Sequence, residues 1–370
     1  MLSNFRRLSD YPIEIQRMAK LKIGVLGAGL IGRRHIDTIL ACPDDAVLVG
    51  VADPAIGPDR FPQVKAPFFA TPDELLDREK PDAVVIATPN SLHAPQGIDC
   101  ARRGVHFIVE KPVTESLESA AALLRAVRAS GVKTLTGHHR RYLPAVRRAR
   151  QILSEGRIGR LVGVSVIWAT RKPDAYFDVA WRKEPGGGPI LINLIHEIDL
   201  LRHLGGEIAS IAGQVSNGVR GFAVEDTSGA VIRFASGALG TILCTDTGLS
   251  PWTIEQGTAE NPAFAYTAEN AYRFIGTEGS LELPNLKLWS ARDPQQIAWD
   301  RPLASTPMKV PEHDPYIEQL RHFCRVIQEG EAPLVSAEDG ARTLAATLAV
   351  TEAGRTQRPV ELAAAFRALG

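Results

Sequence analysis

Cysteine is scarce: the chain has four in 370 residues, Cys42, Cys100, Cys244 and Cys324. They lie too far apart for a Cys-x-x-Cys pair or a disulfide framework, which favours a reducing cytosol as the expected compartment. No run of ~20 apolar residues occurs, so no membrane span is expected. Charge of one sign is also lacking. Lys and Arg number 42 and Asp and Glu 42, which leaves little to attract nucleic acid or an anionic membrane and suits a small-molecule substrate. His196 and His203 do not form a His-Glu-x-x-His pattern and no Cys/His cluster has zinc spacing, so no metal is expected. The segment 1–20 has no secretory apolar core. It mixes Arg6, Arg7, Asp10, Glu14, Arg17 and Lys20 with isolated apolar residues and reads as an extension, with Met18 as an alternative start.

With 45% hydrophobic residues, the chain can bury the cores of two domains. From Leu21, short β-branched runs alternate with amphipathic stretches, the pattern of βαβ units around a parallel sheet. Strands are expected at Lys22–Gly27, Val47–Ala52, Phe68–Phe69, Ala83–Ala87, His106–Val109 and Val132–Thr136. Helices are expected near Leu30–Ala41, Pro72–Arg78, Leu92–Arg103 and Ser116–Ala129. After Gly137 the rhythm changes to a helix, Ala145–Glu155, then long β-rich stretches: Leu161–Thr170, Ile208–Val215, Thr227–Phe234, Ala238–Asp246, Tyr272–Gly276 and Gly279–Leu283. A helix is expected within Ile190–Leu204, and Tyr316–Glu329 and Ala337–Ala353 close the chain as helices. The expected fold is an α/β Rossmann domain over 21–136 plus an α+β domain over 137–370 with a large open, mostly antiparallel sheet. A sheet covered on one face leaves the other for self-association, so a homodimer or homotetramer is expected.

Directly after the first strand stands Gly27-Ala28-Gly29-Leu30-Ile31-Gly32. Gly27 permits the turn, Gly29 lets backbone approach a pyrophosphate, and Gly32 allows close helix packing. Glycine clusters also occur in plain turns. Here a strand precedes the cluster, a helix follows it, and Asp53 ends the second strand at the distance of a ribose-binding acid, which points to a dinucleotide. Asp53 would repel a 2′-phosphate, so NAD is expected over NADP, although Arg60 lies nearby; the alternative role for Asp53 is a turn cap. The fourth strand delivers Thr88-Pro89-Asn90-Ser91-Leu92-His93, a polar loop placed for the nicotinamide half, in which Asn90 or Ser91 can also cap a helix. The next strand runs into Glu110-Lys111-Pro112 and sets a lysine at the rim of the crevice.

These motifs, with His139-Arg140-Arg141-Tyr142, Gly186-Gly187-Gly188 and His196-Glu197-Ile198-Asp199, resemble those of the family of glucose–fructose oxidoreductase, inositol dehydrogenase and rhizopine catabolism protein. The resemblance runs from about Leu21 to Gly354. It implies an active site between the two domains, with Lys111 beside the nicotinamide, Glu110 in the same cofactor loop, and His196 as acid/base for the substrate hydroxyl. The other reading of His196 is a core histidine bonded to Asp199. Polyol-oxidising members often carry an aspartate four residues before this histidine, where the present chain has Ile192. Asn193, on the same helical face as His196, can orient the imidazole but brings no charge, so proton handling shifts towards Lys111. In the segment 138–142 the resemblance puts a residue at the substrate or cofactor; Arg140 is the substrate-side candidate, against a structural ion pair. Trp181 either covers the nicotinamide crevice or packs in the core.

The expected activity is NAD-linked interconversion of a secondary alcohol and a ketone on a sugar, sugar acid or cyclitol. The alternatives are a cyclic cis-dihydrodiol dehydrogenase, suited to the loop around Pro251-Trp252 and Phe264-Ala265-Tyr266, a non-catalytic NAD- and sugar-binding regulator, and an NAD-assisted glycosidase.

Overall fold

The computed structural model describes residues 19–308, 310 and 313–370. The expected extension lies outside the described residues up to and including Met18.

The continuous apolar runs of the first half form a parallel sheet of β1 (Leu21–Leu26), β2 (Ala46–Ala52), β3 (Phe68–Phe69), β4 (Ala83–Ile86), β5 (His106–Val109) and β6 (Thr134–Thr136), in the order β3-β2-β1-β4-β5-β6. Helices α1 (Leu30–Ala41), α2 (Pro72–Glu79), α3 (Asn90–Arg102) and α4 (Leu117–Ser130) connect the strands. A strand buried on both faces cannot alternate, and all four residues of β4 are buried. Ser116 and Ser119 start α4 with a reciprocal capping box. The strand order reverses between β1 and β4, so a crevice opens at their carboxyl ends. Helix α3 starts two residues earlier than its apolar pattern suggests, because Pro89 sets the turn into Asn90.

The second half contains α5 (Pro144–Ser154), β7 (Leu161–Ala169), α6 (Ile195–Gly205), β8 (Ile208–Ser216), β9 (Thr227–Phe234), β10 (Leu239–Thr245), α7 (Ile254–Thr258), β11 (Tyr272–Gly276), β12 (Gly279–Leu283), β13 (Lys287–Ala291), β14 (Leu303–Pro307), α8 (Pro315–Gln328), α9 (Ala337–Thr356), β15 (Val360–Glu361) and α10 (Leu362–Ala368). Its strands pair in the order β14-β13-β12-β11-β7-β10-β9-β8-β15, antiparallel everywhere except between β7 and β10. Strands β13, β14 and β15 add to the expected set. Their signal was weak because β14 is almost wholly exposed and its order comes from pairing with β13, not from a buried face.

On β9 and β10 the period of two is clear. Ala230, Ile232, Phe234, Ile242 and Cys244 point into a core with Trp168, Phe274 and the small residues Ala346 and Ala349 of α9. Truncating one of its aromatics to alanine costs about 3–5 kcal/mol. The opposite face leaves Val162, Val231, Leu239, Leu243 and Ile275 about half exposed. The chain then returns to the first sheet: α8 inserts Leu320, Phe323 and Cys324 into the core beside α1, while α9 inserts Ala337, Ala341 and Leu344 on the other side. Among the described residues no helix is long and apolar enough to cross a membrane. All four cysteines are buried and unpaired.

Candidate active site

The glycine loop has the geometry its spacing requires. Gly27 sits at φ +89°, and a Cβ there would lie 2.6 Å from the Ala87 carbonyl oxygen; one at Gly32 would lie 2.0 Å from the Gly27 oxygen. These contacts seat α1 directly on the exit of β1. A Cβ on Gly29 would meet nothing within 4 Å, and Gly29 caps α1 without a side-chain hydrogen bond. The amino-terminal N–H groups of α1 therefore face open space, the setting that holds a pyrophosphate. Leu30 is fully exposed beside them and Ile31 half-buried.

Asp53 follows β2 and does two things. Its Oδ2 accepts from the Ala28 N–H at 2.8 Å, and its Oδ1 from the Ala55 and Ile56 N–H groups at 2.9 Å. It thus caps its own turn, as the alternative reading had it, and also ties that turn to the glycine loop where an adenosine ribose would lie. Arg60 is exposed, and its carbonyl accepts from Arg33 at 3.0 Å. These residues fit a dinucleotide: an open helix terminus, a cradle a Cβ would fill, and a carboxylate one strand away.

Across the crevice Asn90 is exposed as the first residue of α3, and Thr88 is half-buried with its hydroxyl on Gln96 at 2.7 Å. Two expected cofactor contacts are corrected. His93 is 1% exposed, its Nδ1 2.8 Å from the Pro112 carbonyl and its Nε2 2.9 Å from that of Thr88. It joins the two loops from behind and turns away from the crevice. The Glu110 side chain is also buried, 2.8 Å from His35 Nε2 and 3.2 Å from the Lys111 N–H, so it anchors the lysine loop from within.

Lys111 precedes a cis bond to Pro112. Its Nζ donates to the Ile192 carbonyl at 3.0 Å. Burial pushes its ammonium down to about 8 against the opposing pull of Glu110, with Arg140 and Lys172 lowering it further. The expected single helix is wound as a π-turn over Ile190–Leu194 before α6 begins, an irregularity common at functional sites. One turn beyond Ile192 stands His196, 7% exposed, with Nδ1 unpartnered. Burial, followed by Lys111, Arg140 and the neighbouring histidines, holds its imidazole well below the usual value, so it is neutral and a weakened base. The Asn193 Oδ1 is also buried without a partner.

His196 does not bond to Asp199. That carboxylate is held by Arg141 at 2.6 and 2.8 Å and by the Thr343 hydroxyl at 3.0 Å. Trp181 is 51% exposed, which removes the core-packing alternative. Arg140 is the third correction. It is 3% exposed, and its guanidinium binds Glu197 at 2.7 Å, Glu260 at 2.8 Å and also Glu255. Each of its three nitrogens is hydrogen-bonded to a glutamate, so the guanidinium is the centre of a buried cluster and is not presented to the crevice as the sequence reading expected.

Beside it lies a residue the sequence did not single out. His139 stacks on Tyr316 with ring centroids 4.5 Å apart and meets the edge of His196 at 5.5 Å, with Glu260 Oε2 at 3.8 Å from its Nε2. Tyr316 comes from α8, far along the chain, and only its tertiary position reveals the contact. Lys172, 8% exposed and 3.3 Å from Asp246, was likewise outside every motif.

Comparison with known proteins agrees with this fold. Residues 21–138 match the family model for the GFO/IDH/MocA oxidoreductases with an NAD-binding Rossmann fold, and residues 146–282 match the C-terminal domain model of the same family. The chain is 29% identical to scyllo-inositol 2-dehydrogenase (NAD(+)) of Bacillus subtilis (strain 168), over 93% of this chain and 96% of that protein. It is 30% identical to 1,5-anhydro-D-fructose reductase of Ensifer adhaerens, over 78% and 82%. The fold resembles that of levoglucosan dehydrogenase solved with NADH and levoglucosan, with a TM-score of 0.78 at 23% identity over 93% and 100% of the two chains. With a Rossmann crevice, its glycine cradle and the second-domain sheet all present, the chain belongs to the GFO/IDH/MocA family of NAD-dependent oxidoreductases.

Proposed function

We propose that the protein oxidises a ring-borne secondary alcohol of a sugar, sugar acid or cyclitol reversibly to the ketone, with Lys111 and His196 at the reacting carbon. The observation that carries this reading is the Lys111 Nζ held on the carbonyl of Ile192, one helical turn from the neutral His196. The named inositol dehydrogenase and anhydrofructose reductase support a polyhydroxylated substrate.

Gly27, Gly29, Leu30, Ile31 and Gly32 seat the pyrophosphate, Asp53 binds the adenosine ribose, and Thr88 and Asn90 border the nicotinamide half. When bound, NAD supplies the hydride acceptor. Lys111, still largely protonated at neutral pH, spends one N–H on Ile192 and has two left for the substrate oxygen, which it stabilises as negative charge develops. His196 takes the hydroxyl proton. Asn193 fixes the imidazole or a neighbouring hydroxyl, and exposed Trp181 closes the substrate side. The half-exposed aliphatic residues on the free face of the second sheet support self-association through that face. Buried, unpaired cysteines favour a reducing cytosol.

The test is NADH formation, followed by absorbance, across cyclitols, sugars, sugar acids and dihydrodiols. Turnover of a polyol with loss in Lys111→Ala supports the reading. Tight NAD binding with no turnover of any alcohol overturns it in favour of a regulator or an NAD-assisted glycosidase.

A further inference from the structure

Gly186-Gly187-Gly188 lead into the helical run of Ile190–Leu194 and α6, which carries both the Ile192 carbonyl and His196. A helix start leaves its first N–H groups without intrahelical acceptors, and Pro189, just before this one, has no side chain that could accept. The acceptor comes from 35 residues further along the chain: Glu225 Oε1 takes the Ile190 N–H at 3.0 Å. Gly188 makes room for it. A Cβ there would lie 2.5 Å from the Val224 side chain and 2.6 Å from the Glu225 carboxyl carbon, so any other residue would push the carboxylate off the helix start.

The carboxylate stands on a rigid support. Asp226, 2% exposed, accepts from the Val219 and Arg220 N–H groups at 2.9 Å and from the Thr227 hydroxyl at 2.8 Å, and its carbonyl accepts from the Asp246 N–H at 3.0 Å. The loop before β9 is thereby fastened to the end of β10. On the other side, the Gly188 carbonyl accepts from the Ile192 N–H at 3.2 Å, so the peptide that Glu225 holds and the one that receives Lys111 belong to a single turn. Burial raises the Glu225 carboxyl, while the Ile190 N–H and Lys172 favour its charged form and Asp246 opposes it. The charged form also suits the positive end of the helical run.

We infer that Glu225 is a positioning residue: its carboxylate, admitted by Gly188, fixes the turn that presents the Ile192 carbonyl to Lys111 and sets His196 one turn further on. This role rests on the reading of Lys111 and His196 as the reacting pair. Without the carboxylate the turn frays and the Ile192 oxygen withdraws, so the Lys111 ammonium loses an acceptor. The other groups that act on it, Glu110, Arg140, Lys172, Glu255 and the imidazoles of His138, His139 and His196, stay in place.

The test reads Lys111 directly and needs no substrate. The full chain is labelled with trace acetic anhydride across a range of pH, and the Lys111 peptide is quantified by mass spectrometry. The wild-type midpoint is expected at about 8. In Glu225→Ala it should move to lower pH, with labelling at neutral pH raised several-fold; Glu225→Gln, whose amide oxygen still accepts from Ile190, should return the wild-type curve. NAD affinity equal to wild type shows that both variants are folded. Where an alcohol is turned over, Glu225→Ala should also lower kcat about tenfold with the KM for NAD unchanged. A Lys111 midpoint that Glu225→Ala leaves in place or raises overturns the inference, as does a glutamine variant displaced as far as the alanine variant. Absence of turnover with every alcohol, beside the expected labelling, strikes the functional reading and leaves the hold of Glu225 on Lys111 established.

Discussion

The Lys111 ammonium is fastened to the backbone carbonyl of Ile192 at 3.0 Å. This is the position where related polyol dehydrogenases often place an aspartate. A main-chain oxygen orients the lysine as a carboxylate would but carries no full charge, and burial, with Arg140 and Lys172, leaves Lys111 a lowered affinity for its proton.

Lys111→Ala should lower kcat by about 10²–10⁴ with NAD affinity unchanged, the range for loss of a positioned acid or base. If the protonated form is the active one, wild-type kcat/KM falls as pH rises through about 8. Lys111→Arg, which cannot lose its charge in that range, should keep residual activity without this alkaline limb. A limb that persists in the arginine variant would assign it to another group.

Ile192→Asp restores the carboxylate. A negative charge beside His196 favours its protonated form, raises its pKa and moves the acidic limb of kcat/KM to higher pH. A pH–rate profile that overlays wild type would place the side chain of residue 192 outside the reacting shell.

Arg140→Ala should cost about 3–5 kcal/mol of stability, because it leaves Glu197, Glu255 and Glu260 buried around no cation. Urea denaturation measures this. A variant of normal stability with a raised KM would instead return Arg140 to the substrate.

Glu197 links the same cluster to pH. Burial and repulsion from Glu255 and Glu260 outweigh Arg140 and raise its carboxyl to about 8. Between an unfolded value of ~4.3 and that pH, the folded chain holds a proton the unfolded chain has released. The resulting stability is complete below ~4.3 and is lost as pH rises through about 8. Glu197→Gln keeps the shape without the ionisation, so its Tm should exceed that of wild type at pH 8 by a few degrees and by less at pH 5. Equal shifts at both pH values would exclude the linkage.

If the chain self-associates through the free sheet face, paired charges there, as in Val231→Glu with Leu243→Lys, should yield monomer without unfolding it. Sedimentation velocity reads the result, and an unchanged assembly would move the interface elsewhere.

What the sequence made legible was local. Gly27 to Gly32 and Asp53 fall within one βαβ unit, and Lys111 and His196 stand in short motifs whose spacing carries their meaning. Arg140 looked like a substrate ligand because its three carboxylates come from α6, α7 and the segment beyond α7, and no spacing rule joins these. Glu110 and His93 stand in the right loops, but their side chains turn inward, and only packing decides that direction. The alternation on β9 and β10 was readable because one face is buried, whereas β14 buries almost nothing and left no pattern to read.

The return of α8 to the first sheet has a consequence for how the protein can be divided. Leu320, Phe323 and Cys324 complete the core beside Ile36 and Ile39 of α1. A fragment cut at Thr136 would carry every residue of the glycine cradle yet expose that seam to water, and it would be expected to aggregate. The nucleotide-binding half is thus not a portable module. Its last structural layer is encoded in α8, after β7–β14 of the second sheet, so during synthesis it cannot be finished until those strands have been made.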